Sequence, residues 1–308
     1  MKKFTIILSL FALFYASAAC KAKQPETQQI PSHETSTSQN DNSVKNHDPP
    51  ENFKIRYAGN THVGKVRPHN EDYFDHLENE QLYIVADGMG GHAAGEVASR
   101  IAVETITQFY KNTAENKKNT PPIDVDNENN NAENRLVNSI IQANLKIYED
   151  ALDNPEKKGM GTTVVAINFT NDGAYLAHVG DSRIYRYRQG SLEQLTEDHS
   201  LLNDHIKMGI ITPDEIENYP YKHVIVRALG MQDSVQVDVK SEKPKNGDLY
   251  ILCSDGLFDE VKDDDILEIL NKSLPKGLSH TCNTLIDTAN NNGGKDNITV
   301  ILTQYIVE

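Results

Sequence analysis

The sequence predicts an α+β fold, because strand-like runs joined by hairpin turns alternate with helical segments that follow one another in pairs. Residues 161–169 and 173–179 have β-like composition, and the Asn-Asp-Gly sequence between them is a strong hairpin signal. Residues 94–109 and 133–152 place apolar side chains at helical spacing. Periodicity by itself indicates no more than this α+β class.

The other elements are predicted from the same helical and strand periodicities. The stretch 82–98 runs from a buried strand through a glycine-rich turn into a helix. Acidic residues from Asp263 onward mark the start of a later helix, since the helix dipole favours them there. Further strands are predicted at 53–59, 184–187, 248–253 and 298–305, and a last helix carries Leu278, Cys282, Leu285, Ile286 and Ala289 on one face.

The first twenty residues have the pattern of an export signal. Two lysines precede an apolar run at 4–14, which is shorter than the roughly 20 residues of a membrane-spanning helix. Small residues then lead to Cys20 and resemble a bacterial lipobox, although Ser17 stands where that pattern prefers leucine. We expect an exported lipoprotein, anchored through Cys20 to a membrane and facing the periplasm or the cell exterior. Cleavage by an ordinary signal peptidase and an uncleaved anchor are the alternatives.

The rest of the chain divides by composition. Residues 21–52 are polar and nearly free of large apolar side chains, which predicts a disordered tether. Residues 53–308 then form one domain of ordinary size. Within it, the asparagine-rich segment 112–134 has no periodicity and is predicted to be an exposed insertion between two helices. The segment 195–230 has mixed polarity and a Thr-Pro helix start, and is predicted to be a compact excursion from the domain.

The charge balance argues against two kinds of partner. The chain carries 45 acidic and 30 basic residues, a net charge of −15. Such an acidic protein is repelled by nucleic acid and by an anionic membrane surface, so neither is expected to bind it through charge.

Cysteine usage gives little sign of a disulfide framework. Of the three cysteines, Cys20 belongs to the export signal. Cys253 and Cys282 fall in the apolar patterns of a strand and a helix, which is typical of small buried residues. A disulfide between these two is the alternative, and their spacing alone does not decide it.

Asp87 ends the apolar run 82–86 and is followed by a glycine-rich turn. A carboxylate at the end of a buried strand is costly unless a cation neutralises it. Gly88, Gly90 and Gly91 leave room for backbone carbonyls to approach an ion or a phosphate. A metal site is therefore one interpretation of this turn. A plain hairpin is the other, since Asp-Gly after a strand is first of all a turn signal.

Several more motifs accompany this one. They are Arg67 with Glu71 and Asp72, Gly161-Thr162-Thr163, Asp181-Ser182-Arg183, Ser254-Asp255-Gly256, and Lys295-Asp296-Asn297. Since Asp87, Asp255 and Asp296 each lie at the end of a strand-like run, they are expected to converge at one sheet edge. Taken singly, residues 64–72 fit an exposed charged loop, and the Asp181 motif fits a β-bulge or tight turn.

In their order along the chain, these motifs resemble those of the PPM, or PP2C-like, family of metal-dependent protein phosphatases in its bacterial form. The resemblance extends over residues 53–305. It implies a four-layer α-β-β-α sandwich of two antiparallel sheets and the hydrolysis of phosphoserine and phosphothreonine in proteins. The segment 195–230 resembles the family's flap, which lies beside the active site and influences the choice of substrate.

The resemblance also implies roles for single residues. It implies two Mn²⁺ or Mg²⁺ ions held by Asp87, the Gly88 carbonyl, Asp255 and Asp296, with Asp181 at a third, weaker site. Arg67 is implied to bind the phosphate, and Glu71 or Asp72 to order metal-bound water. Oxygen ligands suit such hard cations, and a guanidinium matches two phosphate oxygens. Zinc at His199, His205 and His223 is the alternative, although their spacing fits no common ligand pattern.

The general acid is the role in which this sequence departs from the family pattern. Eukaryotic members have a histidine two residues after the bridging aspartate, and Met89 stands there in this chain. His92 is near in sequence and is the candidate to replace it, although the two glycines before it leave the direction of its side chain open.

The expected function is direct attack of water on the phosphorus of a phosphoprotein, without a phosphoenzyme. We expect a monomer opposed by a cognate Ser/Thr kinase. An exported domain meets few such kinases, so another phosphomonoester is a second candidate substrate. The alternative function is a catalytically silent, membrane-tethered module that binds phosphoproteins. The presence of all four metal aspartates, Asp87, Asp181, Asp255 and Asp296, favours the enzyme.

Overall fold

The computed structural model of the chain describes residues 52–90, 94–114 and 131–308. The predicted signal at 1–20 and the predicted tether up to residue 51 lie outside the described residues, as does His92. In the part of the chain that is described, no helix is long and apolar enough to cross a membrane.

Strands of the described residues form two antiparallel sheets. The strands are β1 (Phe53–His62), β2 (Asp72–Leu77), β3 (Leu82–Met89), β4 (Gly161–Thr162), β5 (Val164–Thr170), β6 (Gly173–Val179), β7 (Arg183–Arg188), β8 (Ser191–Gln194), β9 (Asp238–Glu242), β10 (Leu249–Cys253) and β11 (Ile298–Val307). The first sheet has the order β1-β11-β10-β7-β8, and the second has the order β2-β3-β5-β6-β9, with β4 paired to β3.

Helices cover the outer faces of both sheets. The second sheet is covered by α1 (Ala94–Thr113) and α2 (Asn131–Asp153). The helix α3 (Leu201–Lys207) lies between β8 and β9, away from these layers. The first sheet is covered by α4 (Asp255–Phe258), α5 (Asp263–Ser273) and α6 (Leu278–Asn292). Short 3₁₀ helices occupy Glu78–Glu80, Pro155–Lys157, Pro213–Asn218 and Leu274–Lys276.

Strand alternation divides the apolar side chains into three layers. In β3, Leu82 and Ile84 pack toward α1 and α2, whereas Tyr83 packs between the two sheets. A third layer lies between the first sheet and α5 and α6, and includes Ile251 and Leu285. This arrangement confirms the predicted α+β fold with two sheets between two helical layers.

The strand predicted at 161–169 is interrupted at Thr163. The backbone N–H of Thr163 donates to the carbonyl of Asp87 at 2.8 Å. As a result β4 pairs with the Gly88 end of β3, whereas β5 pairs with the earlier part of the same strand. The break therefore fixes the backbone on both sides of Asp87.

The predicted bounds of the insertion, 112–134, include residues that are helical in the structure at both ends. α1 extends to Thr113 and α2 begins at Asn131, so only residues 115–130 lie outside the described part. Arg135 explains the extension. Its side chain is 4% exposed, and it donates to the Tyr110 carbonyl, to Thr113 Oγ1 and to the Glu80 carboxylate. This buried cation holds the ends of both helices together.

The two cysteines of the domain are not joined. Cys253 and Cys282 are both buried and free. Each thiol lies against a backbone carbonyl, that of Arg183 for Cys253 and that of Val300 for Cys282. The disulfide alternative is therefore wrong, and both residues are small core side chains, as the apolar patterns predicted.

Residues 195–230, called the flap segment below, form the predicted excursion. Leu195 leaves the first sheet with its N–H donating to the Ile184 carbonyl at 2.7 Å. Thr212 and Glu215 form a capping box at the start of the 3₁₀ helix Pro213–Asn218. The segment returns through a bridge between Leu229 and Thr162. Both ends of the flap segment are thus tied to strands beside the site.

Close packing joins α4 to the turn before β11. A Cβ atom at Gly256 would lie 2.0 Å from the Asn297 carbonyl oxygen, so only glycine permits this approach. The approach brings Asp255, at the start of α4, near Asp296.

Candidate metal centre

Six predicted site residues line one cavity of about 500 Å³. They are Arg67, Glu71, Asp87, Gly88, Asp255 and Asp296. Asp181 lines an adjoining cavity of about 270 Å³, which shares Asp255 and His223 with the first. The structure thus places Asp181 beside the main cavity and not in its lining.

Strand pairing brings the ends of β3 and β10 and the start of β11 to the cavity. β3 carries Asp87, whose N–H donates to Thr163 Oγ1 at 3.1 Å. β10 and β11 are antiparallel with Cys253 opposite Val300, so the end of β10 and the start of β11 lie together. Asp255 and Asp296 follow and precede these two strands, which explains why residues far apart in sequence meet here.

Arg67 contacts a predicted metal ligand in this structure. Its Nη2 lies 2.6 Å from Asp296 Oδ2, and the arginine side chain is 48% exposed. The other carboxylate oxygen of Asp296 accepts the N–H of Asn297 at 2.8 Å. The guanidinium is therefore held at the cavity wall by a partner of opposite charge.

Burial and mutual repulsion disfavour the ionised form of these acids. Burial raises the pKa of Asp87 well above its ordinary value, and neighbouring Asp72 raises it further. The pKa of Asp255 is likewise raised well above normal by burial and then by Asp181. Burial, and then Asp198, raises the pKa of Asp181 to about 7. Without a compensating positive charge, these carboxyl groups therefore keep their protons to a higher pH than ordinary aspartates do.

The donor set fits a hard divalent cation. The acids that line the cavity offer carboxylate oxygens, and Gly88 brings its backbone carbonyl. Asp255 Oδ1 is buried and has no hydrogen-bond partner among the described residues. A buried carboxylate oxygen left unpaired is costly, and a cation would compensate it. Oxygen ligands of this kind are those that Mg²⁺ and Mn²⁺ prefer.

The structure separates Glu71 from Asp72, which the sequence left as alternatives. Glu71 lines the cavity. Asp72 is 5% exposed and accepts hydrogen bonds from Ser254 Oγ and Thr299 Oγ1, both at 2.7 Å. It thus joins β2 of one sheet to the other sheet directly behind the site. Strand alternation, which sends neighbouring side chains to opposite sides, was the sequence signal for this division.

Asn297 is a supporting residue that the sequence placed in a motif beside Asp296 but without a role of its own. Its Oδ1 accepts the N–H of Glu71 at 2.7 Å, and its Nδ2 donates to the carbonyls of Val63 and His69, both at 2.9 Å. An amide side chain is suited to this because it both donates and accepts. Asn297 therefore fixes the loop that carries Arg67 and Glu71.

The zinc alternative is not supported, because the three histidines have separate partners. His205 contacts the Tyr219 hydroxyl at 2.8 Å, and His223 lies 3.2 Å from Asp259. His199 does approach His178 and Asp238, and their ligand atoms lie within 4.8 Å of one another. The Arg227 guanidinium, however, lies 3.0 Å from His199 Nε2 and is paired with Asp238. A cation at this cluster would face a fixed positive charge.

His199 instead supports the turn that presents Asp181. The N–H of Gly180 donates to His199 Nδ1 at 3.1 Å, and the His199 N–H donates to the Gly180 carbonyl at 3.0 Å. Nδ1 therefore accepts, while Nε2 lies 3.3 Å from Asp238 and 3.0 Å from the Arg227 guanidinium. Gly180 has φ +105°, which favours glycine at this turn. The start of the flap segment is thereby coupled to the Asp181 turn.

His223 is the histidine that lines the main cavity among the described residues. Its Nδ1 lies 3.2 Å from Asp259 Oδ2, and together with Asp255 these side chains place three ligand atoms within 4.8 Å of one another. The flap segment thus contributes a titratable side chain to the cavity, which the sequence analysis weighed only as a zinc ligand.

In the absence of metal, Asp181 should make the stability of the protein fall as pH rises. Its carboxyl titrates near 3.8 when unfolded and about 7 when folded, so the folded state binds the extra proton between these values. The free energy of unfolding of Asp181→Asn minus that of wild type should therefore increase by about 4 kcal/mol between pH 4 and a pH above 7. This figure follows from about 1.4 kcal/mol per pKa unit. Urea denaturation in EDTA at several pH values measures this.

A difference between Asp181→Asn and wild type that stays constant with pH would contradict the raised pKa of Asp181.

Replacing His199 should loosen the Asp181 turn. His199→Ala leaves the Gly180 N–H without its acceptor, which should lower the free energy of unfolding by about 1–3 kcal/mol. His199→Asn keeps an acceptor near the position of Nδ1 and should lose less than half as much. Hydrogen exchange at residues 180–183 should accelerate in the alanine variant and stay slow in the asparagine variant. Equal effects of the two substitutions would show that the bond to Gly180 does not hold the turn.

Comparisons with known proteins agree with this geometry. The family model described as protein phosphatase 2C matches residues 58–299. The serine/threonine phosphatase stp of Listeria monocytogenes is 38% identical over 247 residues, which cover 79% of this chain and 93% of that protein.

Solved structures extend the likeness to three dimensions. The serine/threonine phosphatase PstP of Mycobacterium tuberculosis is 35% identical with a TM-score of 0.71, covering 81% of this chain and 98% of that one. A catalytic domain of PstP in complex with two manganese ions is 34% identical with a TM-score of 0.68, covering 83% and 100%. The chain therefore belongs to the protein phosphatase 2C family.

Proposed function

We propose that this protein is a Mn²⁺- or Mg²⁺-dependent phosphatase that removes phosphate from phosphoserine and phosphothreonine in proteins. The observation that carries the proposal is the convergence of Asp87, Asp255 and Asp296 on one cavity, with Arg67 at its wall. The named relatives are serine/threonine phosphatases, and the PstP domain was solved with two manganese ions.

The proposal assigns the metal ligands to residues of the two cavities. Asp87, the Gly88 carbonyl, Asp255 and Asp296 would hold two ions, and Asp181 together with Asp255 would hold a third. Glu71, beside them, would order water. Bound ions of this kind lower the pKa of water and neutralise charge on phosphoryl oxygens. The protein's own contribution is to bury Asp87 and Asp255 and to fix the backbone that carries Asp87 through Thr163.

Arg67 is proposed to bind the substrate phosphate. Its ion pair with Asp296 is partly exposed, so exchanging that carboxylate for a phosphate costs little. The planar guanidinium offers two parallel donors to phosphate oxygens. Lys222 and Lys295 also line the cavity and add positive charge near its mouth.

The proton donor to the leaving group is proposed to be a histidine. His92, the candidate from sequence, stays a prediction because it lies outside the described residues. His223 is the described histidine within the cavity, and Asp259 orients its ring.

Location and partners are proposed from the sequence pattern. Residues 1–20 would direct export, Cys20 would carry the lipid, and residues 21–52 would tether a monomeric domain outside the cytoplasm. Phosphoproteins, and a Ser/Thr kinase that makes them, are the proposed partners. Metabolic labelling with a fatty acid, compared between wild type and Cys20→Ala, would check the lipid anchor.

Hydrolysis of p-nitrophenyl phosphate and of a phosphothreonine peptide tests the proposed activity, using residues 21–308. Wild type should need added Mn²⁺ or Mg²⁺. The kcat/KM of Asp87→Asn and of Asp255→Asn should each fall at least about 100-fold. Removing a residue that only hydrogen-bonds to a metal ligand already lowers metal affinity or activity about 10–100-fold. Asp172→Asn, on an exposed turn, should keep full activity.

Full activity after chelation, or in both ligand variants, would contradict the metal mechanism. A folded wild type that binds Mn²⁺ but hydrolyses neither substrate would make the silent phosphoprotein-binding module the function instead.

A further inference from the structure

Asp296 is a proposed ligand of a divalent cation, and Arg67 contacts the same carboxylate. Asp296 Oδ1 accepts the N–H of Asn297 at 2.8 Å, which fixes the orientation of the carboxylate. Asp296 Oδ2 accepts a hydrogen bond from Arg67 Nη2 at 2.6 Å. Since Asn297 already uses Oδ1, Oδ2 is the oxygen on which the guanidinium and a cation would meet.

The charge of Arg67 also acts on other acids of the cavity. Burial opposes the charged guanidinium, but the hydrogen bond and the charge of Asp296, and then the charges of Glu71 and Asp255, raise the pKa of Arg67 above its usual value. Burial raises the pKa of Glu71, and Arg67 is the largest influence that opposes this rise. Because a guanidinium keeps its proton at any physiological pH, Arg67 is a permanent countercharge at this end of the cavity.

Arg67 can exchange its partner without disturbing the core. It lies on the loop between β1 and β2, and its side chain is 48% exposed. An ion pair of this kind is weak, because water screens both charges. A phosphate offers the guanidinium two oxygens in place of the single carboxylate oxygen of Asp296. Arg67 can therefore leave Asp296 when phosphate enters the cavity.

We propose that Arg67 competes with the divalent cation at Asp296, and that phosphate relieves this competition by drawing the guanidinium away. The inference rests on the proposed phosphatase function, in which Asp296 holds a cation and Arg67 binds phosphate. Two cations at one carboxylate repel each other, so the ion at Asp296 binds more tightly once Arg67 has another partner. Coupling between two ligands is reciprocal, so the ion also tightens the binding of phosphate. The substrate thus helps to complete the metal centre that acts on it.

Calorimetric titration with Mn²⁺ tests the competition, using residues 21–308 at about 0.15 M salt, where distant surface charges are screened. Without phosphate, Arg67→Gln should bind Mn²⁺ at one site about fivefold more tightly than wild type, because the competing charge is gone. A fivefold change corresponds to about 1 kcal/mol, the size expected for a partly exposed ion pair. Arg67→Lys keeps the charge, and its Mn²⁺ affinity should stay within about twofold of wild type.

Inorganic phosphate gives the second readout. Saturating phosphate should tighten Mn²⁺ binding in wild type and in Arg67→Gln, because phosphate oxygens are themselves ligands of such ions. The gain should be at least about threefold larger in wild type, where phosphate also removes the guanidinium from Asp296.

Lys295→Gln is the matched control, since it removes the same charge from the lining of the same cavity. Lys295 is 77% exposed and pairs with Glu260 at 3.2 Å, and Glu260 is not a proposed ligand. Its replacement should change the Mn²⁺ affinity less than about twofold. In an Asp296→Asn background, Arg67→Gln should likewise have an effect below about twofold, because the shared carboxylate is gone.

Equal or weaker Mn²⁺ binding by Arg67→Gln than by wild type would overturn the inference. So would equal gains in Arg67→Gln and Lys295→Gln, which would show a general effect of charge. Either result leaves Mn²⁺ binding and metal-dependent hydrolysis standing. A wild type that binds no Mn²⁺ would overturn both this inference and the proposed function.

Discussion

The constraint on which the site depends is the burial of several carboxylates at one end of a two-sheet sandwich. Asp87 and Asp255 are removed from water and repel their acidic neighbours, so each favours its neutral form. A fold that keeps such acids together loses stability unless positive charge is supplied. The unpartnered Asp255 Oδ1 shows that the described side chains do not supply it fully. Divalent cations resolve this conflict, and the same cations make phosphate chemistry accessible.

Neutral donors hold the acids in place without neutralising them. Ser254 and Thr299 donate to Asp72, which ties the two sheets together, and Thr163 fixes the backbone of Asp87 on both sides. Asn297 orders the loop of Glu71 in the same way. Since these bonds reach the backbone or a supporting acid, they do not occupy the carboxylate oxygens of Asp87 and Asp255. Rigid scaffolding with open ligand atoms is the arrangement that a metal site requires.

Much of this was predictable because it follows from local pattern. Strand alternation and hairpin signals predicted the α+β fold. The placement of Asp87, Asp255 and Asp296 at strand ends predicted their convergence, but the expectation of a single sheet edge was wrong, because the strand of Asp87 belongs to one sheet and those of Asp255 and Asp296 to the other. Contacts between distant residues were not predictable, because they depend on packing that no local pattern records. The pair of Arg67 with Asp296, the bond between His199 and Gly180, and the extension of α1 and α2 around Arg135 are of this kind.

The central claim is that these acids hold two divalent cations. An anomalous difference map at the manganese edge, from crystals of residues 21–308 grown with Mn²⁺, tests it most directly. Two strong peaks are expected in the main cavity, each within about 2.5 Å of carboxylate oxygens of Asp87, Asp255 or Asp296. A map with no peak there, or with manganese only at the cluster of His178, His199 and Asp238, would contradict it.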